Sequence, residues 1–289
     1  MATGTTNIAA LQAQFPAIYE RAFIVARAES LMDKLVTRYN DSNGTEDRKF
    51  ATREQATAQS VSEGTDFQSP DRLGKVPGAT LTPGEVMAQA VVNWRAVRQD
   101  PTLLQDASNE LGMALAQKID KDLISVFSSL NGGAGSQLGA AGSSLSWGII
   151  LAAQAQLKAN NVPGRYNVVL HPYAAHDLST EVNLVKNLAS TPDSVKEGLR
   201  EDMWLGAYQN MDFYVSNNIE ADGSDDAVNA IFSPEALALD MREGPVALPP
   251  ETDGSARETE FNIYADYGYG VRRSTYGIDV ICDVAAPTS

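Results

Sequence analysis

A chain of 289 residues with 43% hydrophobic and 20% charged residues is long enough to bury its own core, and this composition excludes collagen-like and disordered classes. One cysteine, Cys282, and two histidines exclude an intrachain disulfide and leave a zinc-finger or iron–sulfur site short of ligands. The net charge of -15 argues against a nucleic-acid reader, and the lack of a signal peptide or an apolar run of roughly 20 residues predicts cytoplasmic synthesis without a membrane partner.

Most of the negative charge lies in one stretch of the chain. Residues 173–260 hold 18 acidic and 5 basic residues, which gives this stretch a net charge of -13. Because like charges repel, we expect the segment to face solvent or to meet basic partners.

The N-terminal region divides into an arm and a helix. Residues 1–16 are small and polar, which indicates an extended arm. Apolar residues from Ala17 to about Tyr39 recur at helical spacing, and the cluster Asn40-Asp41-Ser42-Asn43-Gly44 follows with turn chemistry. The pattern predicts a helix over 17–39.

Two stretches of alternating character, 49–62 and 80–98, flank a polar connection that is rich in Gly and Pro. This arrangement is typical of a long hairpin. The predicted strands carry few large apolar residues, and a two-stranded ribbon is marginally stable alone. We therefore expect the hairpin to lie against something outside its own subunit.

A long helix is the clearest element of the chain. Asp100 can cap its first turn, and Pro101 fits the first helical position. Eight apolar residues then follow at three- and four-residue spacing and form one face: Leu104, Ala107, Leu111, Leu115, Ile119, Leu123, Val126 and Leu130. The pattern predicts a helix over 101–131.

The remaining elements alternate between helix and strand. The pattern predicts helices over 145–160 and 173–182, with Trp147, Ile150, Leu151, Ala155 and Leu157 as the buried residues of the first. Strands are predicted at 166–170, 212–215, 228–232, 260–268 and 271–283.

No catalytic set emerges from the reactive residues. His171 and His176 stand five apart and match no metalloprotease pattern, and the glycine run 131–142 follows a helix and lacks Gly-Lys-Ser/Thr. The acidic turn 220–226 lacks the spacing of a calcium loop, although weak calcium binding there stays open. Cys282 is interpreted as a small buried hydrophobe. We therefore predict no enzymatic activity, no cofactor and no metal.

The order of these elements resembles that of the major capsid proteins of tailed bacteriophages, which have the Hong Kong 97-like shell fold. Three stretches carry the resemblance: Leu81-Thr82-Pro83-Gly84-Glu85-Val86, Val168-Val169-Leu170-His171-Pro172 and Tyr269-Gly270-Val271-Arg272-Arg273. The resemblance implies an α+β fold with an N-terminal arm (1–40) and an extended loop, a β-hairpin (41–98). It further implies a peripheral domain (99–144 and 246–289) with a spine helix (101–131), and an axial domain (145–245).

The resemblance also implies a function and partners. The chain is expected to self-assemble into hexamers and pentamers that form an icosahedral virion capsid around double-stranded DNA. A separate scaffolding protein is expected, because a helix destined for the shell begins near residue 17 and leaves no cleavable scaffolding segment before it. A portal is a further expected partner, and a decoration protein is an optional one. Candidate inter-subunit contacts on the hairpin are Arg48, Arg53, Arg72 and Lys75.

Two other functions remain open on the sequence. An encapsulin, the shell protein of a bacterial enzyme-storing compartment, would share the architecture and differ in genome context. A soluble enzyme of unrecognised type is the alternative of a different class, and the shortage of acid, base, nucleophile and metal ligands counts against it.

Overall fold

The computed structural model describes residues 30–40, 47–53, 60, 62–63, 75–99, 103–132, 137–184, 204–208 and 210–287. Five helices lie in these ranges: α1 (Met32–Leu35), α2 (Trp94–Gln99), α3 (Leu103–Ser125), α4 (Trp147–Ala159) and α5 (Pro172–Leu184). Short 3-10 turns at Phe127–Ser129 and Ser274–Tyr276 accompany them. Among the described residues, no helix is long and apolar enough to cross a membrane.

The strands of the described ranges fall into two sheets and one hairpin. They are β1 (Thr37–Tyr39), β2 (Arg48–Arg53), β3 (Lys75–Leu81), β4 (Pro83–Asn93), β5 (Leu138–Gly139), β6 (Tyr166–Leu170), β7 (Trp204–Tyr208), β8 (Met211–Val215), β9 (Asp226–Phe232), β10 (Leu237–Ala247), β11 (Glu251–Asp253), β12 (Glu258–Val271) and β13 (Gly277–Asp283).

The first sheet is built around the long strand β12. Strand β12 pairs antiparallel with β4 on one side and with β10 and β11 on the other, and β1 adds parallel to β10. Side chains alternate across β4: even-numbered residues from Val86 to Val92 are half-buried or buried, whereas Met87 and Val91 are exposed. One face of this sheet is therefore covered, and the other meets solvent.

Helix α3 covers that buried face. Its residues Leu111, Leu115 and Leu123 are at most 2% exposed, and they stand at the predicted spacing. The facing residues of β4 are small or branched: Val86, Ala88, Ala90 and Val92. With 23 residues, α3 is roughly 35 Å long at 1.5 Å per residue. The prediction of a long helix is confirmed, and the Asp100-Pro101 cap lies outside the described residues.

The second sheet has the strand order β5-β13-β9-β6-β8-β7. Its strand β6 is buried at all five positions, as expected of a central strand that is covered on both faces. Helix α4 packs against β13 and β9. The apolar core runs without interruption from this sheet to the first one, so the two sheets share one interior.

The α+β class and the predicted helices and strands between 145 and 232 are confirmed, with small shifts at their ends. Two of the residues predicted to be buried in α4 are wrong, because Leu151 and Ala155 face solvent while Ala153 and Gln154 point inward. The helix has an almost uniformly apolar sequence, so its pattern does not identify the buried side.

The predicted helix over 17–39 is wrong at its end. Residues Thr37–Tyr39 form β1, which pairs in parallel with Ala238, Leu239 and Asp240. Sheet pairing overrides the helical spacing there, because an open edge of β10 satisfies the backbone of residues 37–39. Residues 1–29 lie outside the described residues.

The predicted hairpin is confirmed over Arg48–Arg53 of its first strand, and it is wrong in part of its second; residues 54–59 and 61 lie outside the described residues. Strand β2 pairs with β3, whereas β4 pairs along its whole length with β12, from Pro83 opposite Gly268 to Asn93 opposite Glu258, and residues 94–98 are helical. We expected residues 80–98 to pack against something outside their own subunit. This expectation is wrong from Pro83 onward. The alternating pattern is the same for either partner, which explains the error.

The two predicted C-terminal strands lie in different sheets, and the second begins at Gly277 and not at residue 271, because a 3-10 turn at Ser274–Tyr276 precedes it. Strand β12 belongs to the first sheet, whereas β13 crosses to the second and pairs with β9 and β5. The division into domains at residues 145 and 245 stays a prediction, and both sheets contain strands from both sides of it.

Candidate functional site

The hairpin formed by β2 and β3 is the first part of the candidate site. The two strands carry four basic residues, Arg48, Lys49, Arg53 and Lys75, and no acidic ones. Their register places Arg48 opposite Leu81 and Arg53 opposite Lys75, with an irregularity between Lys49 and Ala51. The hairpin is thus a basic element in an acidic protein.

A buried carboxylate holds the start of this hairpin. Asp240 on β10 is 1% exposed. Its Oδ2 atom lies 2.9 Å from Nε of Arg48 and 2.8 Å from Nε of Arg242. A carboxylate removed from water needs compensating charge, and two guanidinium groups supply it. Arg48 thereby fastens β2 to the first sheet.

Aromatic contacts surround this ion pair. The rings of Tyr39 and Phe50 lie 5.4 Å apart, the guanidinium group of Arg48 lies 4.8 Å from the Tyr39 ring, and that of Arg272 lies 5.6 Å from the Phe50 ring. Such cation–aromatic contacts are attractive. We call the group of Tyr39, Arg48, Phe50, Asp240, Arg242 and Arg272 the hairpin foot.

Two glycines allow the other strand of the hairpin to approach the sheet. A side chain at Gly270 would meet Cδ2 of the buried Leu81 at 2.7 Å, and one at Gly268 would meet the backbone oxygen of Thr82 at 3.2 Å. The stretch Tyr269-Gly270-Val271-Arg272-Arg273 therefore serves the hairpin twice: Gly270 makes room for Leu81, and Arg272 contacts Phe50.

A second buried carboxylate holds residues 30–35 against α3. Asp120 is 2% exposed and accepts hydrogen bonds from the Ser30 hydroxyl at 2.9 Å and from the backbone N–H groups of Leu31 at 3.1 Å and Met32 at 3.0 Å. Burial raises the pKa of Asp120 above its ordinary value, although the hydrogen bonds oppose that change. The first described residues of the chain are thus fixed to the long helix.

The four predicted contact residues are placed differently. Arg48 is part of the hairpin foot, and Arg53 and Lys75 pair at the far end of the described hairpin, where only their backbone is described. Arg72 lies outside the described residues. The inter-subunit role of all four stays a prediction.

The surroundings of His171 and Cys282 indicate structural roles for these two residues. The backbone N–H of Tyr173 donates to Nδ1 of His171 at 3.2 Å, and burial lowers the pKa of this histidine. Burial also raises the pKa of the Cys282 thiol to about 11, in agreement with its interpretation as a buried hydrophobe. In the part of the chain that the structure describes, no group of His, Cys, Asp and Glu residues could hold a metal ion.

The acidic segment is partly neutralised within the chain. Asp212 pairs with Arg165 at 2.5 Å and Glu220 with Lys121 at 2.7 Å, in addition to Asp240 in the hairpin foot. In the acidic turn, the backbone N–H groups of Ser224 and Asp226 donate to Oδ1 of Asp222. These carboxylates therefore meet basic side chains or close their own turn.

The residues that fasten residues 30–35 and the hairpin to the rest of the chain cannot be recognised from the sequence pattern. Asp120 and Asp240 were not singled out, and neither was Asp122, which accepts a hydrogen bond from the Tyr267 hydroxyl at 2.7 Å and ties α3 to β12. No local pattern marks an aspartate for burial. The one available signal was the helical spacing of α3, which places Asp120 next to the buried Ile119 and Leu123 positions.

Structural comparison places the fold among phage capsids. The chain is similar to a structure of Mycobacterium phage Che8 (20% identity, TM-score 0.65, 87% of this chain and 90% of that chain). It is also similar to the capsid of Ralstonia phage GP4 (14% identity, TM-score 0.67, 88% of this chain and 88% of that chain). A third similar structure is the head structure of Helicobacter pylori bacteriophage KHP40 (13% identity, TM-score 0.65, 86% of this chain and 87% of that chain).

Sequence comparison gives the family. No curated protein matches the chain. The model of a family described as phage capsid protein matches residues 89–279, which is more than half of the chain. The chain therefore belongs to the phage capsid protein family, and it is a major capsid protein that self-assembles into the shell of a phage head.

Proposed function

We propose that copies of this protein form hexamers and pentamers, and that these close into an icosahedral head around double-stranded DNA. The hairpin is the observation that carries the proposal. Strands β2 and β3 pair with each other, and their described side-chain contacts with the rest of the chain lie at the hairpin foot and at Leu81. Because a two-stranded hairpin is marginally stable alone, neighbouring subunits supply the remaining contacts.

The charge of the hairpin favours an acidic neighbour. Arg53 and Lys75 stand directly opposite each other, and like charges at such a pair of positions are destabilising. A neighbouring acidic surface removes this penalty. Arg53 and Lys75 are therefore proposed contacts, together with Arg72 and Arg48, and Arg48 also has Asp240 as a partner within its own chain.

The proposal includes partners and excludes catalysis. Assembly uses a separate scaffolding protein, a portal closes one vertex, and a decoration protein is an optional addition. The protein acts by binding other copies of itself, with no reaction, cofactor or metal. Large interfaces between copies, each burying more than about 1,000 Å², supply the stability of the shell.

Expression of the chain with its scaffolding protein, followed by sedimentation and negative-stain electron microscopy, tests the proposal. We expect uniform closed particles, and we expect Arg72→Glu to lower their yield while leaving the thermal unfolding of the unassembled chain unchanged. Lys158→Glu, a reversal at an exposed lysine at the end of α4, is the matched control.

A persistent monomer would contradict the shell function, and turnover by that monomer would favour the enzyme alternative. Genome context separates the encapsulin alternative: a neighbouring cargo enzyme, in place of terminase and portal genes, would contradict the phage head. Unimpaired shells from Arg72→Glu would reject the role of Arg72.

A further inference from the structure

One end of the first sheet carries an arginine cleft. Arg95 and Arg98 lie on α2, directly after β4, and Arg257 lies in the turn before β12; all three are exposed. Together with Asn93, Trp94, Gln99 and Ala256 they line an open cleft of about 490 Å³. None of the three guanidinium groups lies within 4.0 Å of a carboxylate among the described residues.

The cleft is preformed by backbone and side-chain hydrogen bonds. The backbone N–H of Trp94 donates to the backbone oxygen of Arg257 at 3.0 Å, and the Trp94 indole N–H donates to the Thr259 hydroxyl at 2.9 Å. Arg257 adopts a left-handed conformation with φ of 59°, which is uncommon for a residue other than glycine. These bonds hold the turn beside α2.

The same end of the sheet carries an acidic strand pair. The hairpin of β11 and β12 places Glu251 opposite Glu260 and Asp253 opposite Glu258. Like charges at directly opposed positions destabilise a hairpin. Asp253 is held as an acceptor by the hydroxyl and N–H of Ser255 and by the N–H of Ala256, and the hydroxyl hydrogen bond lowers the pKa of its carboxyl.

The positively charged arginine cleft and the negatively charged acidic strand pair thus lie side by side, and they form no ion pair with each other among the described residues. We infer that the arginine cleft of one copy binds the acidic strand pair of the next copy in the shell. A second copy is the occupant that the observations favour, because the same surface supplies both complementary halves. In such a contact the same surface of each copy meets that of the other, so the contact is self-complementary and relates the two copies by a two-fold axis.

This inference rests on the proposed shell function, and it adds a contact that does not involve the hairpin formed by β2 and β3. Carboxylates pair well with arginine, whose planar fork matches both oxygens. A phosphate of packaged DNA would fit the same chemistry, but it would leave the acidic strand pair without a partner.

Charge exchange between the two halves tests the contact. Three variants are compared with the wild type: R95E/R98E, E251R/E258R and the combination of all four substitutions. Like charges brought together across an interface cost several kcal/mol, so we expect each double variant to lower the yield of closed shells by more than about tenfold. The fourfold variant restores opposite charges and is expected to restore the yield.

Two controls separate charge at this site from other effects. R95K/R98K keeps the positive charge and is expected to retain most of the shells, and Lys158→Glu makes a reversal of the same sign elsewhere. Circular dichroism of each unassembled variant shows that the chain folds.

A shell yield of R95E/R98E equal to that of the wild type would overturn the inference. The same holds if the variant with all four substitutions gives no higher shell yield than the double variants. Shells of R95E/R98E at normal yield that hold less DNA would assign the cleft to phosphate and overturn the contact between copies. If the wild type and Lys158→Glu also form no closed particles, the shell function itself fails.

Discussion

Two buried aspartates fasten two extensions to the same body, and they do so with different chemistry. Asp120 holds residues 30–35 through neutral donors, a hydroxyl and two backbone N–H groups. Asp240 holds the hairpin through the guanidinium group of Arg48, and a second guanidinium group, that of Arg242 on its own strand β10, shares the carboxylate. Neutral donors offset only part of the cost of burying a carboxylate, and the pKa of Asp120 is raised accordingly. Two arginines instead form a charged cluster in which each member depends on the others.

The largest effect is expected at the charged cluster. Asp240→Ala leaves Arg48 and Arg242 side by side without their carboxylate, and breaking a buried ion pair costs about 3–5 kcal/mol. We expect a loss of this size in the free energy of unfolding, measured by urea denaturation of the unassembled chain. Asp47→Ala, at an exposed aspartate just before β2, is the matched control. A loss within about 0.5 kcal/mol of the control would remove the distinction between the two fasteners.

A smaller effect is expected at the neutral fastener. Asp120→Ala leaves the Leu31 and Met32 N–H groups and the Ser30 hydroxyl without their acceptor, at a cost of about 1–3 kcal/mol. We expect residues 30–35 to become cleavable by a protease at lower enzyme concentration, as read by mass spectrometry. Asp106→Ala, at an exposed position of the same helix, should leave cleavage unchanged. Equal cleavage of the two variants would contradict the fastening role of Asp120.

The smallest effect is a dependence on pH that Asp120 produces. Its pKa in the folded chain lies above the ordinary value of 3.8, so between the two values the folded chain binds more protons than the unfolded chain. The free energy of unfolding therefore falls as pH rises through this window and levels off above it. We expect the stability of the wild type relative to Asp120→Asn to fall by up to about 1.4 kcal/mol per pH unit there. A relative stability that rises with pH would contradict the raised pKa.

The long helix and the buried strand β6 could be predicted because their patterns are local. The spacing of Leu111, Leu115 and Leu123 defines a helical face whatever lies opposite, and the apolar run at 166–170 indicates a covered strand. Strand β4 was assigned to the wrong partner because alternation indicates a strand and says nothing about its neighbour.

The fasteners could not be predicted for the same reason. Asp120 and Asp240 have partners far away in the chain, and their own neighbours in sequence look like those of many exposed aspartates. Arg48 was selected as a charged hairpin residue, but the sequence could not show that its partner lies in the same chain. The order of elements, by contrast, was sufficient to indicate the family.

The unequal attachment of the two strands of the hairpin has a mechanical consequence. Strand β3 continues through Thr82 into β4, whose 11 residues are all paired with β12. A force along this strand is distributed at once over the hydrogen bonds between β4 and β12. The described contacts of strand β2 with the first sheet are side-chain contacts near its start, those of Arg48 with Asp240 and Tyr39 and those of Phe50 with Tyr39 and Arg272. Tension on the hairpin would therefore release the β2 side first and leave the hairpin attached through β4.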